Sequence, residues 1–122
     1  MTDDVNDSHS ARSAFEDAVA QVTAYHRTRD QARTAGLIRR RLGGGYSVTR
    51  KGGIYIRDAS QRHDDVRALL SEYAKAWEAR EVTKADRRDA QVDLVVRAFQ
   101  ADEAAESESL AALRALGFDP LA

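Results

Sequence analysis

The chain has 122 residues, no cysteine, and charged residues that nearly cancel to a formal net charge of −1. The lack of cysteine excludes disulfides, thiolate catalysis and cysteine-based zinc sites. No segment reaches the roughly 18 apolar residues of a membrane span. The acidic, polar start also lacks the basic and apolar regions of a signal peptide, so we expect a cytoplasmic or virion protein without a membrane partner.

The whole chain, 1–122, is predicted to form a single elongated helical domain with a β-hairpin, opening with a polar N-terminal lead over 1–10. Large apolar residues are sparse, with one Trp, one Met and three Phe. Alanine and charged residues dominate instead, and the only proline lies near the end of the chain, which favours long helices. The predicted fold class is therefore mainly α with a β-hairpin, and its modest apolar surface favours association with other chains.

The first long helix is predicted over about 12–42. Its apolar residues recur at three- and four-residue steps, as on one face of a helix; they include Phe15, Ala18, Val19, Val22, Tyr25, Ala35, Ile38 and Leu42. Gly36 marks an alternative break into two helices. The glycines at 43–45 are predicted to end the helix, because glycine favours C-cap geometry.

A basic β-ribbon is predicted over 46–57. Its two strands, Tyr46–Arg50 and Ile54–Arg57, alternate apolar and polar residues. Gly52 and Gly53 lie between them and suit a tight hairpin turn. Because two strands alone are marginally stable in water, the ribbon must pack on a helix or on a partner.

A long helix or a helix pair is predicted over 59–104, with Asp58 as its N-terminal cap. A concentrated apolar stripe at 66–77 is followed by a charged stretch without Gly or Pro, which favours the continuous helix. In the alternative, Thr83 with Asp86 caps the second member of a pair.

A short C-terminal helix is predicted over about 107–116. Gly117 suits a C-cap, with Phe118 folding back on the last turn. Both ends of the chain are acidic: residues 1–17 and 98–122 each sum to −4. These ends could compensate a basic centre, either within one molecule or between copies of it.

That basic centre is residues 33–62, with eight Lys or Arg against one acid. Arg39, Arg40 and Arg41 have a structural explanation at a helix C-terminus, where cations favour the helix dipole. Arg50 and Lys51 at the predicted hairpin tip have no such internal explanation. The candidate partner or nucleic-acid contacts are Arg39, Arg40, Arg41, Tyr46, Arg50, Lys51, Tyr55 and Arg57.

No group of residues indicates catalysis. The three His share no metal-binding motif, and the glycine-rich segments lack the Gly-Lys-Ser/Thr pattern of a phosphate loop. Ser47 and Thr49 have no evident His, Lys and acid partner set. We therefore expect no enzyme, no cofactor, no metal and no small-molecule substrate.

Three functions remain as hypotheses. The favoured one is a non-enzymatic self-associating or assembly protein, such as a small bacteriophage virion or head-to-tail component, acting with its own copies or other protein subunits. Its candidate self-association or core residues are Leu70, Tyr73, Trp77, Val95, Val96 and Phe99. The alternative is a nucleic-acid-binding module or small regulator that uses the basic hairpin. A protein inhibitor or adaptor that binds an acidic partner is the third.

Overall fold

A computed structural model of the protein describes residues 3–79 and 82–118. The elements in these ranges are α1 (Asp3–Thr34), β1 (Ile38–Arg40), β2 (Tyr46–Val48), α2 (Arg50–Arg62), α3 (Asp64–Glu78) and α4 (Lys84–Ala115). The two strands form one antiparallel hairpin between helices. The predicted fold class, mainly α with a β-hairpin, is confirmed, although several predicted boundaries are wrong.

The first helix is shifted toward the N-terminus relative to its predicted span of 12–42. It begins at Asp3, so most of the predicted polar lead is helical, and it ends at Thr34. The amide of Gly36 donates to the Arg33 carbonyl at 3.0 Å, and the amide of Leu37 donates to the Ala32 carbonyl at 3.0 Å. This pair of bonds is a Schellman motif, which ends the helix at the glycine that the sequence offered only as an alternative break.

The hairpin also lies earlier in the chain than the predicted ribbon at 46–57. Ile38 pairs with Val48 and Arg40 pairs with Tyr46 across the two strands. The glycines predicted to stop a helix form the turn instead, because Gly44 and Gly45 have φ of 96° and 71°, where other residues are strained.

The predicted second strand, at 54–57, is part of α2. This helix starts because the Thr49 hydroxyl oxygen accepts a hydrogen bond from the Gly52 amide at 3.1 Å. Gly52 is required for close packing rather than for a turn: a Cβ placed there would lie 2.0 Å from the Leu37 carbonyl oxygen. Ile56 and Ala59 form the buried face of α2.

The region predicted as a long helix or helix pair over 59–104 contains two breaks. Asp58 lies inside α2 rather than at a cap, and His63 separates α2 from α3. The second break precedes α4 and confirms the helix-pair alternative. There the Thr83 hydroxyl oxygen accepts from the Asp86 amide at 3.1 Å, and the Thr83 amide donates to the Asp86 carboxylate at 3.2 Å. This capping box starts a new helix without any Gly or Pro.

The separate C-terminal helix predicted at 107–116 does not exist, because α4 continues through the acidic stretch to Ala115. The predicted C-cap at Gly117 is confirmed. The Gly117 amide donates to the Arg114 carbonyl at 3.0 Å, and the Phe118 amide donates to the Leu113 carbonyl at 2.9 Å.

The core lies along α4, which contacts α1, β2, α2 and α3. Val95 and Val96, two of the candidate self-association or core residues, are fully buried and form part of the core of this chain. Leu70, Tyr73 and Phe99 are partly buried against the same core. The central members of this set are therefore buried within a single copy of the chain. The half-buried Trp77 lines a cleft between the hairpin base, α2, α3 and α4.

Two carboxylates of α4 accept hydrogen bonds from tyrosines of other helices. Asp93 accepts from the Tyr25 hydroxyl of α1 at 2.9 Å and from the Tyr73 hydroxyl of α3 at 2.7 Å. Burial and the neighbouring Asp93 raise the pKa of Tyr73 to about 12, and they also raise that of Tyr25. Both hydroxyls therefore remain protonated donors, and Asp93 joins three helices.

Asp102 forms the second of these clusters. It accepts hydrogen bonds from the Tyr55 hydroxyl and, at 3.1 Å, from the Arg62 guanidinium, and His63 Nε2 lies 2.6 Å from its other oxygen. Burial alone would raise the pKa of Asp102, but the bonds from Tyr55, His63 and Arg62 outweigh it and lower the pKa below 3.8. The carboxylate thus ties the α2–α3 junction to α4.

Replacing Asp102 with Asn is expected to lower the free energy of unfolding by about 1–3 kcal/mol at neutral pH, since hydrogen bonds to a charged group are lost. Because the folded-state pKa is depressed, the contribution of the carboxylate is present above about pH 4 and is lost as pH falls through the lower folded value. Urea unfolding of both proteins across this range should therefore show the difference shrinking in acid.

The matched control is Asp58→Asn. Asp58 is a more exposed carboxylate whose contact with Arg57 is long, at 3.8 Å, so its loss should change stability by less than about 0.5 kcal/mol. An Asp102→Asn deficit that stays constant down to about pH 2 would contradict the assignment to the ionised carboxylate.

Candidate nucleic-acid interface

The base of the hairpin is fixed to the end of α1. The Thr49 amide donates to the Leu37 carbonyl at 3.0 Å, and the Thr49 hydroxyl donates to the Gly36 carbonyl at 2.6 Å. Lys51 Nζ donates to the Ala35 carbonyl at 3.0 Å. These bonds fix the base of the hairpin to the residues that follow α1, while the turn at 41–45 is exposed.

Three consecutive arginines lead into the hairpin tip. Arg39, Arg40 and Arg41 are all exposed, and Leu42 at the apex is fully exposed. The Arg41 amide donates to the Gly45 carbonyl at 3.0 Å, which closes the turn beneath Leu42. The tip therefore presents three cations and one uncovered apolar side chain on a short, hydrogen-bonded loop.

Two cations of α1 extend this charge beside the second strand. The Arg29 guanidinium lies 4.7 Å from the ring centre of Tyr46, within the range of a cation–π contact. Hydrogen bonding from Arg40, with the charges of Arg29 and Arg33 nearby, lowers the pKa of the Tyr46 phenol below its ordinary 10.0. We call the five arginines around Tyr46 and the tip the basic hairpin surface; its members are Arg29, Arg33, Arg39, Arg40 and Arg41.

The basic hairpin surface is not neutralised internally. Among the side chains that the structure describes, five ion pairs occur, and none of them includes an arginine of this surface. The nearby Asp30 carboxylate interacts with Arg40 electrostatically but does not form an ion pair with it. The Nε atom of Arg29 is buried and has no hydrogen-bond partner among the described residues. The charge of the exposed members, Arg33, Arg39, Arg40 and Arg41, is thus available to an anionic ligand.

The other predicted contact residues lie elsewhere. Arg50, Lys51, Tyr55 and Arg57 belong to α2, so the predicted tip at Arg50 and Lys51 is wrong. Lys51 is engaged with the α1 carbonyl end, and Tyr55 is half-buried against Asp102. Arg57 lies beside the neighbouring Asp58 carboxylate. Of the predicted set, the structure brings together Arg39, Arg40, Arg41 and Tyr46.

Sequence reasoning missed Arg29, Arg33 and Leu42. The two arginines reach the hairpin only because α1 ends at Thr34 and places its last turns beside Tyr46. Leu42 had been assigned to a helix face. The available signal was Arg41-Leu-Gly-Gly-Gly-Tyr46, in which a basic residue and a leucine precede three glycines that can form a turn.

Among the side chains that the structure describes, which lie within 10–79 and 82–118, no cluster of three His, Asp or Glu is placed to hold a metal ion. The helices in these ranges also include none that is both long and apolar enough to cross a bilayer. The chain matches no known protein-family model, curated protein or solved structure.

Proposed function

We propose that this protein binds duplex DNA through the basic hairpin surface. The observation that carries the proposal is that five arginines, none in an internal ion pair among the described side chains, lie on one hairpin and on the last turns of α1 beside it. Arginine neutralises backbone phosphates, and each such contact releases counterions from the duplex. The surface therefore supplies the sequence-independent part of DNA affinity.

The shape of the hairpin favours DNA over RNA. A two-stranded β-ribbon fits the major groove of B-form DNA, which is about 12 Å wide. The major groove of an RNA duplex is deep and narrow, and side chains do not read it. Leu42 at the apex adds an apolar contact for a thymine methyl group or a base step, which charge alone does not provide.

The test is fluorescence anisotropy with a labelled DNA duplex of mixed sequence. If three to five arginines contact phosphates, raising salt from about 50 to about 200 mM should weaken binding by about 40- to 500-fold. An RNA duplex of the same sequence should bind more weakly. Absence of any DNA binding at about 50 mM salt would refute the proposal.

Self-association is a second candidate function, favoured by exposed apolar residues in the N-terminal part of α1. Phe15 is 70% exposed, Val19 48% and Val22 56%, and their spacing places them on one helix face. The chain exposes 9091 Å² in total, whereas a compact monomer of its mass exposes about 6,500 Å². A second copy that packs its own Phe15, Val19 and Val22 on this face would cover part of the excess exposed area.

This candidate predicts a dimer or larger species in sedimentation velocity at tens of micromolar protein. Val19→Asp should shift the distribution toward monomer, because it places a charge in the apolar stripe. Ala20→Asp is the control: it adds the same charge to the same exposed helical segment but outside the apolar stripe, and it should leave the distribution unchanged. A wild-type protein that sediments as a clean monomer at these concentrations would rule this function out.

A further inference from the structure

A cleft opens where the base of the hairpin, α2, α3 and α4 meet. Its volume is about 390 Å³, within the range of small-molecule sites. The apolar wall contains Leu94 and Ile56, which are 1% and 8% exposed, and the half-buried Leu70 and Trp77. This wall can enclose an apolar body of modest size, and it lies on different residues from the basic hairpin surface.

The polar rim of the cleft is cationic. Arg50, the first residue of α2, lines it together with the Gln91 amide. The first turn of α2 contains no acidic residue, although the positive end of a helix dipole favours one. Arg50 also takes part in none of the five ion pairs among the described side chains. Arg50, which has no ion-pair partner among the described side chains, thus lines the same cleft as the apolar wall.

We propose that this cleft binds a small amphipathic monocarboxylate, with its carboxylate on Arg50 and its hydrocarbon body against Trp77 and Leu94. Guanidinium groups bind carboxylates through two parallel hydrogen bonds, and Gln91 supplies a further donor. The hydrocarbon body covers the part of the Trp77 indole that the fold leaves exposed. The ligand is bound and not transformed, so no substrate is implied.

The occupant follows from charge complementarity along the cleft. A neutral apolar molecule would leave Arg50 without a partner, and an inorganic anion would leave the Leu70 and Trp77 surface in water. Only a ligand with both an anionic head and an apolar body satisfies both ends. The sequence did not indicate this site because its walls come from three separate segments of the chain, 48–56, 70–77 and 91–94.

The chain contains one tryptophan, so the emission of Trp77 reports binding directly. Octanoate, titrated into the whole protein below its micelle concentration, should give a saturable change in emission. Octanol should bind at least about tenfold more weakly than octanoate. The Arg50→Gln substitution should lower the affinity for octanoate by about tenfold and leave the affinity for octanol unchanged, as expected when one charge-assisted contact is removed.

Lys51→Gln is the matched control, since it removes the same charge from the next residue, whose ammonium is held by the Ala35 carbonyl. Its octanoate affinity should equal that of the wild type. Gly53→Leu provides an independent variant: Gly53 lines the cleft, and a Cβ there meets no atom within 4 Å, so the larger side chain can occupy the cleft and prevent binding. Equal affinities for octanoate and octanol, an unaltered Arg50→Gln, or a non-saturable response would each overturn the proposal.

Discussion

Replacing Arg39 and Arg41 together with glutamine is expected to weaken DNA binding by about 60-fold at about 0.1 M salt. Each phosphate contact contributes about 0.9 to the slope of log affinity against log salt, equivalent to about eightfold at this concentration. The slope itself should become shallower by about 1.8, because two contacts are removed. Both side chains are exposed and unpaired among the described residues, so the fold should tolerate the change.

The control for this double variant is Arg12→Gln with Arg114→Gln. These two arginines are exposed on parts of α1 and α4 away from the hairpin, and their loss changes the net charge by the same amount. If binding depended only on net charge, both double variants would lose affinity equally. The hairpin proposal requires the control to retain its affinity and its salt slope, while circular dichroism confirms unchanged helix content in both proteins.

Gly52→Ala is expected to destabilise the protein by about 3 kcal/mol or more, because overpacking against a rigid backbone forces it to move. The added Cβ would lie 2.0 Å from the Leu37 carbonyl oxygen and 2.8 Å from Val48 Cγ1. Relief of these contacts requires α2 to shift away from the hairpin base, where Thr49 starts the helix. Urea unfolding followed by circular dichroism measures the loss.

The adjacent Gly53→Ala is the matched control. A Cβ at Gly53 meets no atom within 4 Å, and alanine is favoured over glycine in a helix by about 1 kcal/mol. This variant should therefore be as stable as the wild type or slightly more stable. If the two substitutions changed the free energy of unfolding equally, the inferred close packing of α2 on the hairpin base would be contradicted.

The sequence predicted the kinds of elements better than their positions. The segment Ile54-Tyr-Ile-Arg57 alternates like a strand, yet in a helix the same residues place Ile56 against the core and Tyr55 beside Asp102. A short apolar run fits either period, and local pattern cannot choose between them. The capping pair Thr83 and Asp86 was visible in the sequence, but the lack of Gly or Pro favoured the wrong alternative.

The candidate site was predicted in part for a related reason. The excess of basic residues was visible in the composition, and Arg39, Arg40, Arg41 and Tyr46 were among the candidate contacts. Their explanation as helix-terminus cations was wrong, because β1 and the turn hold these residues.

The sequence by itself determined the mainly helical class, the presence of one hairpin, the Gly117 cap and the cationic centre of the chain. Each of these depends on residue type and spacing over a few positions. Only the tertiary structure decided that the glycines at 43–45 turn a hairpin while Gly52 packs against Leu37. It also brought Arg29 to Tyr46, since contacts between distant segments follow from where helices end and pack.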